Sequence, residues 1–221
     1  MAVSSGNVHQ RPRRRLDDVR RPQILAETVA LIGERGLWDV RLADVAKRAG
    51  ISATSVVYYF GSKDQLFAQA IAEADDAFYE PLLAELEALD SAAERIACLF
   101  VRSSTSDWPL WMDLWVYSRH HPETATSQRH FHERWRRTIA DVVAHGCERG
   151  EWRVADPDAV ALRLSALTDG LAVHMVLGDA EHTPAAYVAM SLAAASLELG
   201  CELGELERAA GAATRSAGPP R

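Results

Sequence analysis

The sequence predicts an all-α chain, with a three-helix head containing a helix-turn-helix and a larger helical body, about nine helices in all. Three observations predict it. Helix start and stop chemistry recurs along the chain, strand signals are nearly absent, and two short helical segments meet across Gly50-Ile51-Ser52. The expected organisation is a disordered basic arm over 1–19, the head over 20–66, the body over 67–208 and a flexible tail over 209–221.

Taken in order, residues 1–19 lack apolar periodicity. Pro22 sits where a first helical residue would, and Ile24, Leu25, Thr28, Leu31 and Ile32 follow at helical spacing up to Gly36. A short helix runs from about Leu42 to Ala49 and stops at Gly50, and Ser52 caps a third reaching about Phe60. Ser62 with Gln65 opens a long fourth helix, which Pro81 is expected to kink or split. In the body, Ser91 with Glu94 forms a second capping box ahead of Ile96, Leu99 and Phe100. Asp107 precedes Trp108-Pro109 and a helix ending near His121. Pro122 opens a segment with Phe131, Trp135, Ile139 and Val142 on one stripe, closing near Gly150. Asp156-Pro157 starts a helix reaching Gly178, and Thr183-Pro184 a final one reaching about Leu203. The Ala-, Gly- and Pro-rich stretch from Ala209 onward is expected to fray.

Length and composition fit a soluble globular chain: 221 residues, 48% hydrophobic and 25% charged. The longest apolar runs, about ten residues, are too short to span a bilayer. No secretory pattern opens the chain, so a cytoplasmic location without membrane partners is expected. Cys98, Cys147 and Cys201 are odd in number and far apart, which points to buried free thiols. The net charge of −7 is unevenly spread. Residues 1–70 hold 11 basic and 7 acidic groups, and the remainder 13 basic and 24 acidic. A positive module that meets phosphate, joined to an acidic body that phosphate repels, accounts for the split.

The most informative block is residues 41–63. Val45, Ala46, Ala49, Ile51 and Val56 are spaced to pack together, Ala46 is small where two helices cross, and Gly50 supplies the left-handed turn. Ser52 caps the second helix of the pair. The exposed start of that helix holds Ala53, Thr54 and Ser55, short enough for close approach to base edges in a major groove. Tyr58 and Tyr59 lie near its far end, and Lys63 is placed to reach a phosphate. Phe60 and Leu66 read as core, Tyr59 as core or contact, and Lys47 and Arg48 as solvated charges.

Gly36, Val45-Ala46, Ala49-Gly50-Ile51-Ser52, Tyr59-Phe60 and Ser62-Lys63 with Leu66 resemble the DNA-binding signature of the TetR family of transcriptional regulators over about residues 22–70. The resemblance implies a three-helix DNA-binding head on a helical body that binds a small ligand and dimerises. It also implies DNA contacts near Arg41, Thr54, Ser55, Tyr58, Tyr59 and Lys63. Three positions depart from the pattern. Val57 replaces a tyrosine, Thr54 a common glycine, and Arg41 the hydroxyl that usually caps the second helix, leaving Asp39 as an alternative cap.

In the body, Trp108, Trp111 and Trp115 share one helical face, with Leu110, Leu114 and Tyr117 on another. With Trp135 they either line a pocket for a flat or cationic ligand or form a closed aromatic core. Asp169 and His174 are the interior polar candidates. From Trp108 to about Leu199 the body resembles the choline-responsive (BetI-like) subgroup, through the Trp-rich helix, Trp135-Arg136, Gly150-Glu151, Asp156-Pro157-Asp158-Ala159 and Asp169-Gly170-Leu171. Many paralogues with unrelated ligands share that pattern, so it does not fix choline as the effector.

Leu164, Leu167, Leu171 and Met175, then Tyr187, Met190, Leu197 and Leu199, exceed what one face against the body requires. A homodimer through the last two helices is therefore expected, reading two half-sites of a near-palindromic operator. His120-His121 and His130/His132 lack the spacing to share an ion, so no metal is expected; no cofactor and no catalytic constellation is recognisable. The expected function is a ligand-responsive repressor released from operator DNA by a small-molecule effector, with the long fourth helix near Pro81 as the lever between pocket and head. The competing readings are a helical ligand-binding protein that no longer binds DNA and a small all-helical enzyme.

Overall fold

The computed structural model describes the backbone of residues 11–217 and the side chains of residues 20–215. Among them are ten helices and no strand: α1 (Arg11–Arg35), α2 (Leu42–Arg48), α3 (Ala53–Phe60), α4 (Lys63–Ala88), α5 (Ala92–Ser103), α6 (Trp108–Ser118), α7 (Pro122–Arg149), α8 (Pro157–Val176), α9 (Pro184–Leu199) and α10 (Leu203–Ala217). Short polar side chains start most of them. Ser52, Ser62, Ser91, Asp107, Asp156 and Thr183 each accept the backbone N–H three residues on, satisfying a donor the helix itself leaves unpaired.

Four boundaries differ from the sequence expectation. α1 begins at Arg11, so residues 11–19 are helical and Pro22 lies inside the helix; residues 1–10 of the expected arm lie outside the described residues. Residues 11–21 carry no apolar stripe, but Arg and Leu are good helix formers, a preference that periodicity does not register. α4 runs unbroken past Pro81. α9 stops at Leu199 on the left-handed Gly200, and α10 follows instead of a frayed tail. Its Leu206 and Ala210 are buried in the body core against α5. Arg41, not Asp39, is the N-cap of α2, and its own N–H donates to the Asp44 carboxylate at 3.1 Å.

The head core is built from Ile24, Leu31, Leu37, Val45, Val56, Leu66 and Phe67, all but sealed from water. It does not end at the head. Leu110, Leu114 and Tyr117 of α6 belong to the same cluster, so α6 is packed into head and body at once. A second core joins α4, α5, α7, α8, α9 and α10. Gly146 marks its tightest approach: a Cβ there would lie 2.1 Å from the Trp152 ring, whose Nε1 donates to the Val143 carbonyl at 2.8 Å. Cys98 is buried, which pushes its thiol up to about 12, while Cys147 and Cys201 are only half-buried, less than expected; all three are free.

Among the described residues α8 alone is long and apolar enough to cross a membrane by length and composition, although the apolar runs in the sequence look too short. Leu162, Ala166 and Gly170 of α8 and its C-cap Leu177 are exposed, as are Met190 and Leu197 of α9, the last by 85%. Arg163 and Glu198 tie the two helices together at 2.7 Å. Leu164, Leu171, Tyr187 and Leu199 instead face the chain's own core.

Candidate DNA interface and ligand cavity

α2 and α3 pack at a short turn in which Gly50 has φ +66°, open only to a residue without a Cβ penalty. The start of α3 then stands free of the head. Ala53, Thr54 and Tyr58 are exposed, Tyr58 by 78%, and so is Arg41, the N-cap of α2. Ser52 and Ser55 are committed to each other: Ser52 Oγ accepts the Ser55 N–H at 3.0 Å and lies 2.8 Å from Ser55 Oγ. Ser52 therefore shapes the helix end, while Ser55, half-buried, has one hydroxyl already in use.

Tyr59 is half-buried, with its ring between Tyr58 and Phe60 and its carbonyl accepting Arg21 Nη1 at 3.3 Å. Lys63 lies over the Phe67 ring at 4.9 Å, and partial burial lowers its ammonium's pKa. Val57, where the family pattern has a tyrosine, is 43% exposed and offers only apolar surface. Phe60 and Leu66 are core, as their sequence positions indicate. Arg48 is held by Glu34 at 2.6 Å and Glu27 at 2.9 Å, which turns it away from a phosphate role.

A cavity of about 70 Å³ lies in the body. Trp108, Trp111, Trp115 and Trp135 all line it, as does Asp169. Two of the indoles are pinned by their nitrogens. Trp108 Nε1 donates to the Ser103 carbonyl at 2.9 Å and Trp111 Nε1 to Ser106 Oγ at 3.1 Å. Trp135 Nε1 is screened from solvent and has no hydrogen-bond partner, a donor held in reserve in a wall of the cavity.

His174 is not part of this site. It is exposed at the end of α8, neither lining the cavity nor buried in the core. Asp169 sits one and a half turns earlier on the inner side, because positions five apart on a helix point in different directions.

Lining residues that sequence reasoning missed are Asp75, Phe78 and Tyr79 of α4 and His132 of α7. Asp75 is almost fully buried and accepts Arg134 Nη1 at 2.7 Å, with that guanidinium 4.1 Å from the Tyr79 ring centre. Burial still wins over the ion pair, and the Asp75 carboxyl is held above the usual range. An acidic residue on the apolar side of α4, opposite an arginine about three turns into α7, gave the one available hint.

Asp169 is the second carboxylate lining the cavity. Burial pushes its carboxyl up to about 6, opposed by His132, whose Nδ1 is 3.8 Å away. Two carboxylates and four indoles thus meet in one space, and one of the carboxylates lacks a close fixed cation.

α6 links this cavity to the head. Its tryptophans face the cavity, while Asp113 accepts the buried Leu37 N–H at 2.8 Å and Tyr117 donates to Asp64 in the first turn of α4. Two helices thus reach from the cavity to the head: α4, with Asp75 and Tyr79 at the cavity and Lys63 at its start, and α6 beside it.

A helix-turn-helix head packed against a helical body with an aromatic cavity is the architecture of a DNA-binding transcriptional regulator. The chain belongs to the TetR family of bacterial regulatory proteins, whose pattern matches residues 24–70, and residues 86–200 match the BetI-type transcriptional repressor C-terminal domain. Similar curated proteins include the HTH-type transcriptional regulator BetI of Cronobacter sakazakii, 26% identical over 168 residues, covering 72% of this chain and 81% of that one. BetI 1 of Chromohalobacter salexigens is 29% identical over 172 residues, covering 72% and 80%. Among solved structures, a putative transcriptional regulator from Saccharomonospora viridis in complex with choline superposes with a TM-score of 0.73 at 28% identity, covering 79% of this chain and 94% of that one. FadR of Bacillus subtilis in complex with stearoyl-CoA shares the fold, with a TM-score of 0.62 at 18% identity over 80% and 97% of the two chains.

Proposed function

We propose that the chain is a homodimeric repressor released from a near-palindromic operator by a small organic cation of the quaternary-ammonium class. The carrying observation is Asp169, a carboxylate sunk among four tryptophans with no fixed cation closer than His132. Indole faces attract a cation that resists full hydration, and a buried carboxylate supplies the opposite charge. The choline complex of the Saccharomonospora viridis regulator supports this class of ligand, whereas the stearoyl-CoA complex shows how different a ligand the same fold accommodates.

At the DNA end, Arg41, Ala53, Thr54, Ser55, Tyr58, Tyr59 and Lys63 are the proposed contacts, with Ser52 positioning the helix. Tyr58 and Thr54, both exposed on α3, face the bases, and Arg41 and Lys63 meet phosphate. The apolar stripes of α8 and α9 pair with the same stripes of a second copy, which explains why α8 is apolar on a face its own chain leaves open. These are the two helices the sequence reading named for the dimer; α10, which follows them in the chain, packs on α5. Ligand favouring one spacing of the two heads shifts the population away from the spacing the operator requires.

The test is calorimetric titration of the purified protein with choline and with a neutral isostere of equal size, followed by gel-shift release of a genomically selected operator. Binding and release by the cation alone are expected. Equal binding of the neutral isostere overturns the electrostatic reading, and operator binding indifferent to a bound cation overturns the release step.

A further inference from the structure

We infer that His174, Asp179 and His182 form a divalent transition-metal site at the turn between α8 and α9, away from the aromatic cavity. Their candidate donor atoms all lie within 4.8 Å of one another. Asp179 Oδ2 is 3.2 Å from His182 Nδ1 and 3.7 Å from His174 Nδ1. Donors at the corners of a tetrahedron with arms near 2.0–2.1 Å stand roughly 3.4 Å apart, so side-chain rotation of about an ångström closes the set around an ion.

The backbone builds the cluster. Gly178, with φ +76°, reverses the chain after α8. Its N–H donates to the Met175 carbonyl at 3.1 Å and the Asp179 N–H to the His174 carbonyl at 3.2 Å, the double bond of a Schellman cap. That cap brings residues 174 and 179 side by side, where an apolar pair commonly sits; here the pair is an imidazole and a carboxylate. The His182 N–H then donates to the Asp179 carbonyl at 3.0 Å, fixing the third residue on the same turn.

A second observation points to an ion and not to a finished hydrogen-bonded turn. His182 Nδ1 is screened from solvent yet makes no hydrogen bond, although the Asp179 carboxylate lies 3.2 Å away. Its lone pair or proton is misdirected for that partner. The two imidazoles stack, with centroids 4.5 Å apart and planes 21° from parallel, an arrangement open to two rings binding one ion side by side. The carbonyl end of α8 adds negative potential. Two imidazoles and one carboxylate suit Zn²⁺, Ni²⁺ or Co²⁺, with remaining positions filled by water.

The experiment titrates tag-free, chelator-treated full-length protein with ZnCl₂ and NiCl₂ by calorimetry, with thermal melts alongside. One ion per chain and a higher Tm are expected. His182→Ala and Asp179→Asn should each weaken binding by about tenfold or more, whereas His120→Ala, at another exposed histidine, should not; circular dichroism verifies folding. No heat and no Tm change, affinity unaltered by the first two variants, or half an ion per chain, shared between copies, would each overturn the site.

Discussion

The Tyr117 hydroxyl donates to Asp64 Oδ1 at 2.6 Å, joining the cavity helix α6 to the first turn of α4, next to Lys63. His121 Nδ1 lies 3.0 Å from the other oxygen of the same carboxylate, and its ring stacks on Tyr117 with centroids 3.7 Å apart. Burial opposes ionisation of Asp64, but these hydrogen bonds and the neighbouring His121 and Lys63 charges outweigh it and hold the carboxyl below its usual range. On the proposed release mechanism, this is the contact through which a shift of α6 would reach the first turn of α4.

Tyr117→Phe removes that bond while keeping the ring. Ligand affinity is expected to change little, but release of operator should need several-fold more ligand, because the two sites share less coupling energy. Gel-shift titration of wild type and variant against the same operator fragment measures this; identical release curves would assign the transmission to α4 alone.

Asp113→Ala leaves the buried Leu37 N–H without its acceptor, a loss of about 1–3 kcal/mol. The midpoint of urea unfolding should fall accordingly. Gly36 sits against the same carboxylate, and a Cβ there would meet Asp113 Oδ2 at 2.9 Å on a backbone with φ +77°. Gly36→Ala should therefore destabilise the same junction.

Asp169 gives a pH signature. Its carboxyl ionises near 6 in the folded chain and near 4 when unfolded, so the fold binds the proton more tightly than the unfolded chain. Stability without ligand is thus lost as pH rises through that window and stays low above it. Asp169→Asn should raise stability at pH 7.5 by up to about 3 kcal/mol, with the gain vanishing near pH 4, while weakening cation binding. In the wild type, cation affinity should fall as pH drops below about 6, when the carboxyl protonates.

Lys63→Ala should lower the slope of log affinity against log salt by about 0.9 per head if the ammonium meets a phosphate. Tyr58→Ala, at the most exposed aromatic of α3, should weaken operator binding with helicity unchanged. Fluorescence anisotropy across a salt series separates the two effects, and an unaltered slope for Lys63→Ala would remove that residue from the contact set.

Leu197→Glu places a charge on the open stripe of α9 and should yield a folded monomer with at least tenfold weaker operator binding. Sedimentation velocity reads the mass directly. A variant that remains dimeric moves the interface elsewhere.

By itself the sequence determined where most helices begin and that the head is a helix-turn-helix. Those features rest on local chemistry: Ser52, Ser62, Ser91, Asp107, Asp156 and Thr183 cap the residues beside them, and Gly50 turns the chain in place. The tryptophans were visible by spacing, but whether they enclosed space was not, since a cavity depends on what α4 and α7 bring opposite them. Asp75, paired with Arg134 59 residues further on, and His132 were brought to the site, and His174 was left outside it, through packing that no local pattern encodes. The tertiary structure alone decided that α10 covers α5, that α8 and α9 keep an open apolar face, and that Tyr117 meets Asp64. Each is a contact between segments distant in sequence, fixed by how whole helices fill a shared core.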